Sequence, residues 1–200
     1  MIASPSSPKM TPQQYLDWEE QQPLRYEYWN GEVFAMTGGT IPHNQVAVNL
    51  ATLLKNHLRG KGCKILTSGA KVGIRTDGPF YYADLSVTCD PRDRTARQAI
   101  YYPCLIVEVL SPSTESTDRG QKFRQYRRIA TLKEYLLIDP DRMSVECYRL
   151  NERGNWELIH SFIEEPAPAD CEVFLSSVDL QFSLTELYED IALYGGEEEM

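Results

Sequence analysis

The chain has 200 residues, with 20 Lys and Arg against 29 Asp and Glu, a formal charge of −9, and 42% hydrophobic residues. That length suits one domain with a substantial core, and the ordinary apolar and charged fractions exclude a disordered, fibrous or repeat class. No apolar run approaches the roughly 20 residues that span a bilayer and the N-terminus lacks a signal-peptide core, so a soluble, cytoplasmic protein without membrane partners is expected.

In chain order, residues 1–10 read as a flexible arm, residues 11–194 as a single domain and residues 195–200 as an acidic tail. Thr11-Pro12-Gln13-Gln14 supplies an N-cap, a Pro at the first helical position and a capping-box partner for a short helix through Glu20. Leu24 to Met36 reads as a hairpin turning at Asn30-Gly31, both of which accept positive φ. Ile41-Pro42-His43 opens an amphipathic helix with Val46, Leu50, Leu53, Leu54 and Leu58 at helical spacing. Three strands follow, Cys63 to Ile74, Tyr81 to Cys89 and Cys104 to Leu110. A basic helix from about Thr117 to Thr131 comes next, then a strand from Glu134 to Asp139, a hairpin (Ser144 to Leu150 and Trp156 to Phe162) and a last helix from Leu184 to Tyr194. This order describes an α/β sandwich. The five cysteines are widely spaced without a CxxC pair and read as reduced, buried hydrophobes.

Charge is segregated. Residues 151–200 hold 13 acids and one base, whereas the first 150 residues hold 19 bases and 16 acids. The basic helix carries Arg119, Lys122, Arg124, Arg127, Arg128 and Lys133, a stretch that suits an anionic ligand or a solvated face.

Two acids stand out. Every neighbour of Glu108 in Cys104 to Leu110 is apolar, the pattern of a strand covered on both faces, where a lone carboxylate is costly unless a cation meets it. In Tyr81 to Cys89, alternation puts Ala83, Leu85 and Val87 on one face and Asp84, Ser86 and Thr88 on the other. Two carboxylates on neighbouring strands outline a metal site; a solvated Asp84 and an ion-paired Glu108 are the alternative.

The αβββαβ order, with Asp on the second strand and Glu on the third, resembles the PD-(D/E)XK restriction-endonuclease-like superfamily. More closely, Arg25 to Glu32, Tyr82 to Val87, Ile106 to Thr114 and Glu134 to Pro140 are similar to blocks of the Uma-two family. The resemblance implies a restriction-endonuclease-like fold, a central mixed sheet flanked by helices with an added hairpin. It also implies a bacterial Mg²⁺- or Mn²⁺-dependent endonuclease acting on DNA. Asp84 and Glu108 would hold the metal, with Glu27 a further acid near it. Ala83 replaces the family's usual Pro, and Leu110 stands where the superfamily keeps its catalytic lysine; related enzymes supply that ammonium from the following helix, which makes Lys122 the candidate. Arg124, Arg127 and Arg128 are the expected phosphate contacts, with Lys55, Arg59, Lys61 and Lys64 as the alternative path. His43 suits either a phosphate contact or a helix cap, and Lys71 either the site or the surface. Many enzymes of this fold dimerise, so a homodimer stays open. The competing readings are a catalytically inactive binding or scaffold protein on the same fold and a hydrolase of another phosphate substrate. No helix-turn-helix or zinc module supplies sequence readout.

Overall fold

Thr11 starts the first helix as a capping box requires: its hydroxyl accepts the N–H of Gln14, and the Gln14 side chain accepts the N–H of Thr11. The computed structural model describes residues 9–36, 38–163 and 171–193, so most of the expected arm and the whole tail 195–200 lie outside the described residues. Helix α1 (Pro12–Glu19) leads to the hairpin of β1 (Tyr26–Trp29) and β2 (Glu32–Ala35). Its turn residues Asn30 and Gly31 have φ of 52° and 85°, the pair of positive angles that a type I′ turn needs. Helix α2 (Ile41–His57) follows and buries Val46, Leu50 and Leu54.

The next two expected strands each divide. Cys63 to Ile74 becomes β3 (Lys64–Thr67) and β4 (Lys71–Gly73), broken at the turn around Gly69. Tyr81 to Cys89 becomes β5 (Phe80–Tyr81) and β6 (Leu85–Thr88), broken at Tyr82-Ala83-Asp84. Because β3 pairs with β6 and β4 with β5, both strands switch sheets at the same level. Ala83 therefore packs in a different cluster from Leu85 and Val87, which corrects the single alternating face expected from the sequence. Asp84 lies at the switch, outside either strand.

The remaining strands are β7 (Ala99–Ile100), β8 (Leu105–Val109), β9 (Glu134–Asp139), β10 (Ser144–Leu150), β11 (Trp156–Phe162), β12 (Glu172–Leu175) and β13 (Leu180–Ser183). The larger sheet has the order β11-β10-β9-β8-β6-β3, parallel between β8 and β9 and antiparallel elsewhere. A second sheet, β2-β1-β5-β4-β7, carries the front hairpin. With α2 before β3 and a helix between β8 and β9, the core is the expected mixed α/β arrangement, and β10-β11 is the added hairpin. Leu105, Val107 and Val109 of β8 pack with α2, whereas Ile106 and Leu110 pack with Tyr126, Ile129 and Leu132. By strand alternation, Glu108 faces the second group.

Three more expectations are corrected. The basic helix is interrupted: an α-turn over Glu115–Thr117, a π-helical turn over Asp118–Lys122 and a last α-turn over Phe123–Tyr126. It stops at Tyr126, not Thr131, because the chain must turn back to bury Ile129 and Leu132 before entering β9. The final helix covers only Leu184–Leu187, after a β12-β13 hairpin that had not been expected. Cys63 and Cys89 form a disulfide: the pairing of Lys64 with Thr88 makes them opposite neighbours at the end of the β3-β6 ladder.

Glu134, fully buried at the start of β9, accepts hydrogen bonds from the N–H groups of Ser176 and Ser177 and from Arg149 Nε. Burial alone would raise its pKa; the bonds from Ser177 and Arg149 outweigh it and hold the carboxyl below its ordinary value. Its contribution to stability is thus present above the unfolded pKa and lost as pH falls through the folded one. Glu134→Ala should cost about 3 kcal/mol in urea unfolding at neutral pH, the order for breaking a buried charge pair. The deficit should shrink below about pH 4; a deficit independent of pH would show that the carboxylate's charge is not what matters.

Candidate active site

Asp84 owes its place to the sheet switch. Its Oδ2 accepts the N–H of Val109 at 2.8 Å, and His43 Nε2 lies 3.4 Å from the same oxygen. His43 sits in the first turn of α2, where Thr40 caps its N–H. Gly39 leaves room for the imidazole: a Cβ there would stand 2.7 Å from His43 Nδ1. Burial pulls the His43 pKa down, but the hydrogen bond and charge of Asp84 dominate and the net direction is up.

Below Asp84 lies a buried charge cluster. Lys122 Nζ is 3.1 Å from Glu108 Oε1, 3.2 Å from Glu27 Oε1 and 3.2 Å from Asp118 Oδ1. Tyr126 donates its hydroxyl to Glu108 Oε1 at 2.9 Å, and the N–H of Tyr82 donates to Glu27 Oε1 at 3.0 Å. All four charged side chains of this cluster are at most 5% exposed. The local fold explains the convergence. Asp118, Lys122 and Tyr126 are four residues apart, a spacing that drifts by about 40° per step around a regular helix of 3.6 residues per turn. The i→i+5 closure of a π turn slows that drift, so one helix face can reach Glu108 repeatedly.

The charges do not balance internally. Glu27, Asp84, Glu108 and Asp118 face Lys122 and His43, which leaves −2 with His43 protonated and −3 with it neutral. Glu108 responds most: burial, reinforced by Asp118, Asp84 and Glu27 against Lys122, pushes its pKa well up. Burial opposes the charge of Lys122, yet Glu108, Glu27 and Asp118 together raise its pKa and keep its proton in place. The folded protein thus holds more protons on Glu108 than the unfolded chain does above about pH 4.5, and stability falls as pH rises through that window. Glu108→Gln, which mimics the protonated carboxyl, should melt at or above the wild type in EDTA. Its advantage should widen from about pH 6 to pH 8 in thermal denaturation; an advantage that does not widen would contradict the ionisation of Glu108 as its source.

Both contacts on Asp84 fall on Oδ2 and both hydrogen bonds on Glu108 fall on Oε1, so the second oxygen of each carboxylate is not engaged by these partners. Among the described residues no group of three or more His, Cys, Asp or Glu is arranged as a closed metal site. Two hard oxygens with residual negative charge fit Mg²⁺, which takes one or two carboxylates and fills the rest of its octahedron with water and substrate.

The structure thus brings Asp84, Glu108, Lys122 and Glu27 to one cleft of about 920 Å³, together with His43. Asp118 and Tyr126 complete the cluster; their only sequence signal was the four-residue spacing around Lys122. Lys71 does not reach it: its ammonium is bound by Glu19 at 2.8 Å, and the Tyr82 hydroxyl donates to the same carboxylate. Arg124, Arg127 and Arg128 are exposed but do not line the cleft. Arg127 is the helix C-cap and Arg128 lies beyond it, so the helical pairing expected for Arg124 and Arg128 is absent.

A family model, Uma2, described as "Putative restriction endonuclease", matches residues 12–185. Two proteins of Synechocystis sp. (strain ATCC 27184 / PCC 6803 / Kazusa) are similar to the chain. "Uncharacterized protein slr1290" is 43% identical over 195 residues, covering 96% of this chain and all of that one. "Uncharacterized protein sll1609" is 34% identical over 151 residues, covering 74% and 85%. The crystal structure of a "putative nuclease belonging to DUF820" from Anabaena variabilis ATCC 29413 superposes with a TM-score of 0.71, over 90% of this chain and 97% of that one. At 18% identity that likeness is one of fold.

Proposed function

The chain belongs to the Uma2 family, and from that premise we propose that it is a divalent-metal-dependent endonuclease hydrolysing phosphodiester bonds of DNA. The observation that carries this reading is the surplus of negative charge at the floor of an open cleft, gathered from five separate elements and met by a single buried lysine. Asp84 and Glu108 would hold the ion, which lowers the pKa of bound water and polarises the phosphate.

The protein's own groups do the positioning. The N–H of Val109 and His43 fix the Asp84 carboxylate, and Tyr126 and Lys122 fix Glu108. Lys122 places a permanent positive charge in a desolvated site, where it stabilises charge developing on phosphate more strongly than it would in water. Glu27 and Asp118 hold that ammonium in place and keep it protonated. Leu110 packs in the apolar cluster beside them, so the usual lysine slot is filled by core and the cation comes from the helix.

The scaffold reading has one observation in its favour: Lys122 is already engaged by three carboxylates, so the cluster also makes sense as a closed structural network. Incubating plasmid and oligonucleotide DNA with Mg²⁺ or Mn²⁺, with Glu108→Ala as control, separates the two. Cleavage by the wild type alone supports the enzyme; DNA binding without cleavage under every metal would leave the scaffold.

A further inference from the structure

Although the chain holds 29 acidic residues, its 44-residue stretch from Val33 to Thr76 contains none, while it carries Lys55, Arg59, Lys61, Lys64, Lys71 and Arg75. Most of that stretch is α2 and β3, which line one side of the cleft. The lining takes α2 residues in adjacent pairs four apart, from His43 and Asn44 to Lys55 and Asn56, so one face of the helix borders the cleft along its length. From His43 to Lys55 is 12 residues, about 18 Å of helix. Spreading 920 Å³ over that length leaves a mean cross-section of about 50 Å², some 7 Å across. A single strand fits such a channel; a duplex, whose major groove alone is about 12 Å wide, does not.

The wall also has the right chemistry. Val48 is 48% exposed on it, beside Ala47 and Ala51, an apolar strip in a cleft that otherwise ends in charge. Lys55 and Arg59 are exposed, one helical turn apart, and neither forms an ion pair among the described residues. By contrast Lys61 is held by His57, and Lys64 by the carbonyls of Asp93 and Arg94.

We infer that this wall is a binding track for single-stranded nucleic acid. The reacting phosphate lies over Asp84 and Glu108, bases and sugars run against Ala47, Val48 and Ala51, and a later phosphate sits between Lys55 and Arg59. The inference rests on the nuclease reading and names its substrate class. It also explains how a protein of charge −9 holds a polyanion: the acids are excluded from the one wall the strand follows.

The test is fluorescence anisotropy with a labelled single strand, as DNA and as RNA, and with the matching duplex. It is run in Mn²⁺ on an Asp84→Asn background so that nothing is cut, between about 50 and 200 mM salt. Lys55→Gln with Arg59→Gln should weaken single-strand binding about tenfold and flatten the log–log salt slope by about 1.4, at about 0.7 per phosphate contact. Val48→Glu, which adds an acid to the wall at an exposed helix position, should weaken it about as much without lowering the melting temperature. Arg124→Gln with Arg127→Gln should change neither affinity nor slope. Unchanged binding in both wall variants, or tighter binding of duplex than of either single strand, overturns the track. If the wall variants lose binding but the wild type cuts nothing, the track stands and the nuclease reading falls. If they bind unchanged while the wild type cuts, the reverse holds.

Discussion

Asp84→Asn should stop cleavage, with a loss of at least about 10²-fold, and should abolish the heat of Mn²⁺ binding in calorimetry. The reason is charge, not shape. Asn keeps an oxygen that can accept the N–H of Val109, so the sheet switch and the position of His43 should survive at a cost of no more than about 1 kcal/mol. What disappears is one of the two carboxylates that carry the residual charge facing the cleft. A variant that melts like the wild type and still binds Mn²⁺ would remove Asp84 from the metal site. The position matters as much as the residue: Asp84 is 16% exposed in its side chain, enough to meet a ligand, whereas Glu27 and Asp118 are sealed against Lys122.

The second large effect is that of Lys122→Met. Removing the ammonium strands three buried carboxylates within a few ångströms of one another, and the order of such a loss is about 3–5 kcal/mol. Cleavage should fall by about 10²-fold or more, the scale of losing one preorganised charge at a transition state. Because loss of folding alone would also stop cleavage, the informative partner is Lys122→Met with Glu27→Gln. That double variant removes one of the stranded charges and should recover part of the stability in urea unfolding while staying inactive. Recovery of both stability and cleavage would make Lys122 a structural ion-pair partner and return the question of the catalytic cation to the rest of the cleft.

The sequence reading reached Asp84 and Glu108 because each is an isolated acid in an apolar run, and it reached Lys122 because a helix after β8 had to return over that strand. It did not reach the way these residues meet. The strand breaks at Gly69 and Ala83 are invisible to periodicity, since Tyr81, Tyr82 and Ala83 are buried on both sides of the switch and the apolar pattern runs straight through it. The helix end was misplaced for a related reason: Ile129 and Leu132 continue a helical spacing but are buried by a turn. The Cys63–Cys89 bond depends on β3-β6 register, which two cysteines 26 residues apart do not disclose. Membership of the cluster by Asp118 and Tyr126 depends on a π turn, for which the sequence carries no strong local signal.

The scatter of the site along the chain bears on how the protein is made. Glu27, His43, Asp84, Glu108 and Lys122 come from the front hairpin, α2, the sheet switch, β8 and the interrupted helix, and β9 must dock beside β8 before that helix has a complete surface to lie on. During synthesis, which delivers the N-terminal part first, the carboxylates leave the ribosome well before the lysine that holds them together. A nascent or prematurely terminated chain therefore carries scattered acids but no assembled centre, and whatever bond the finished protein breaks is safe from its fragments.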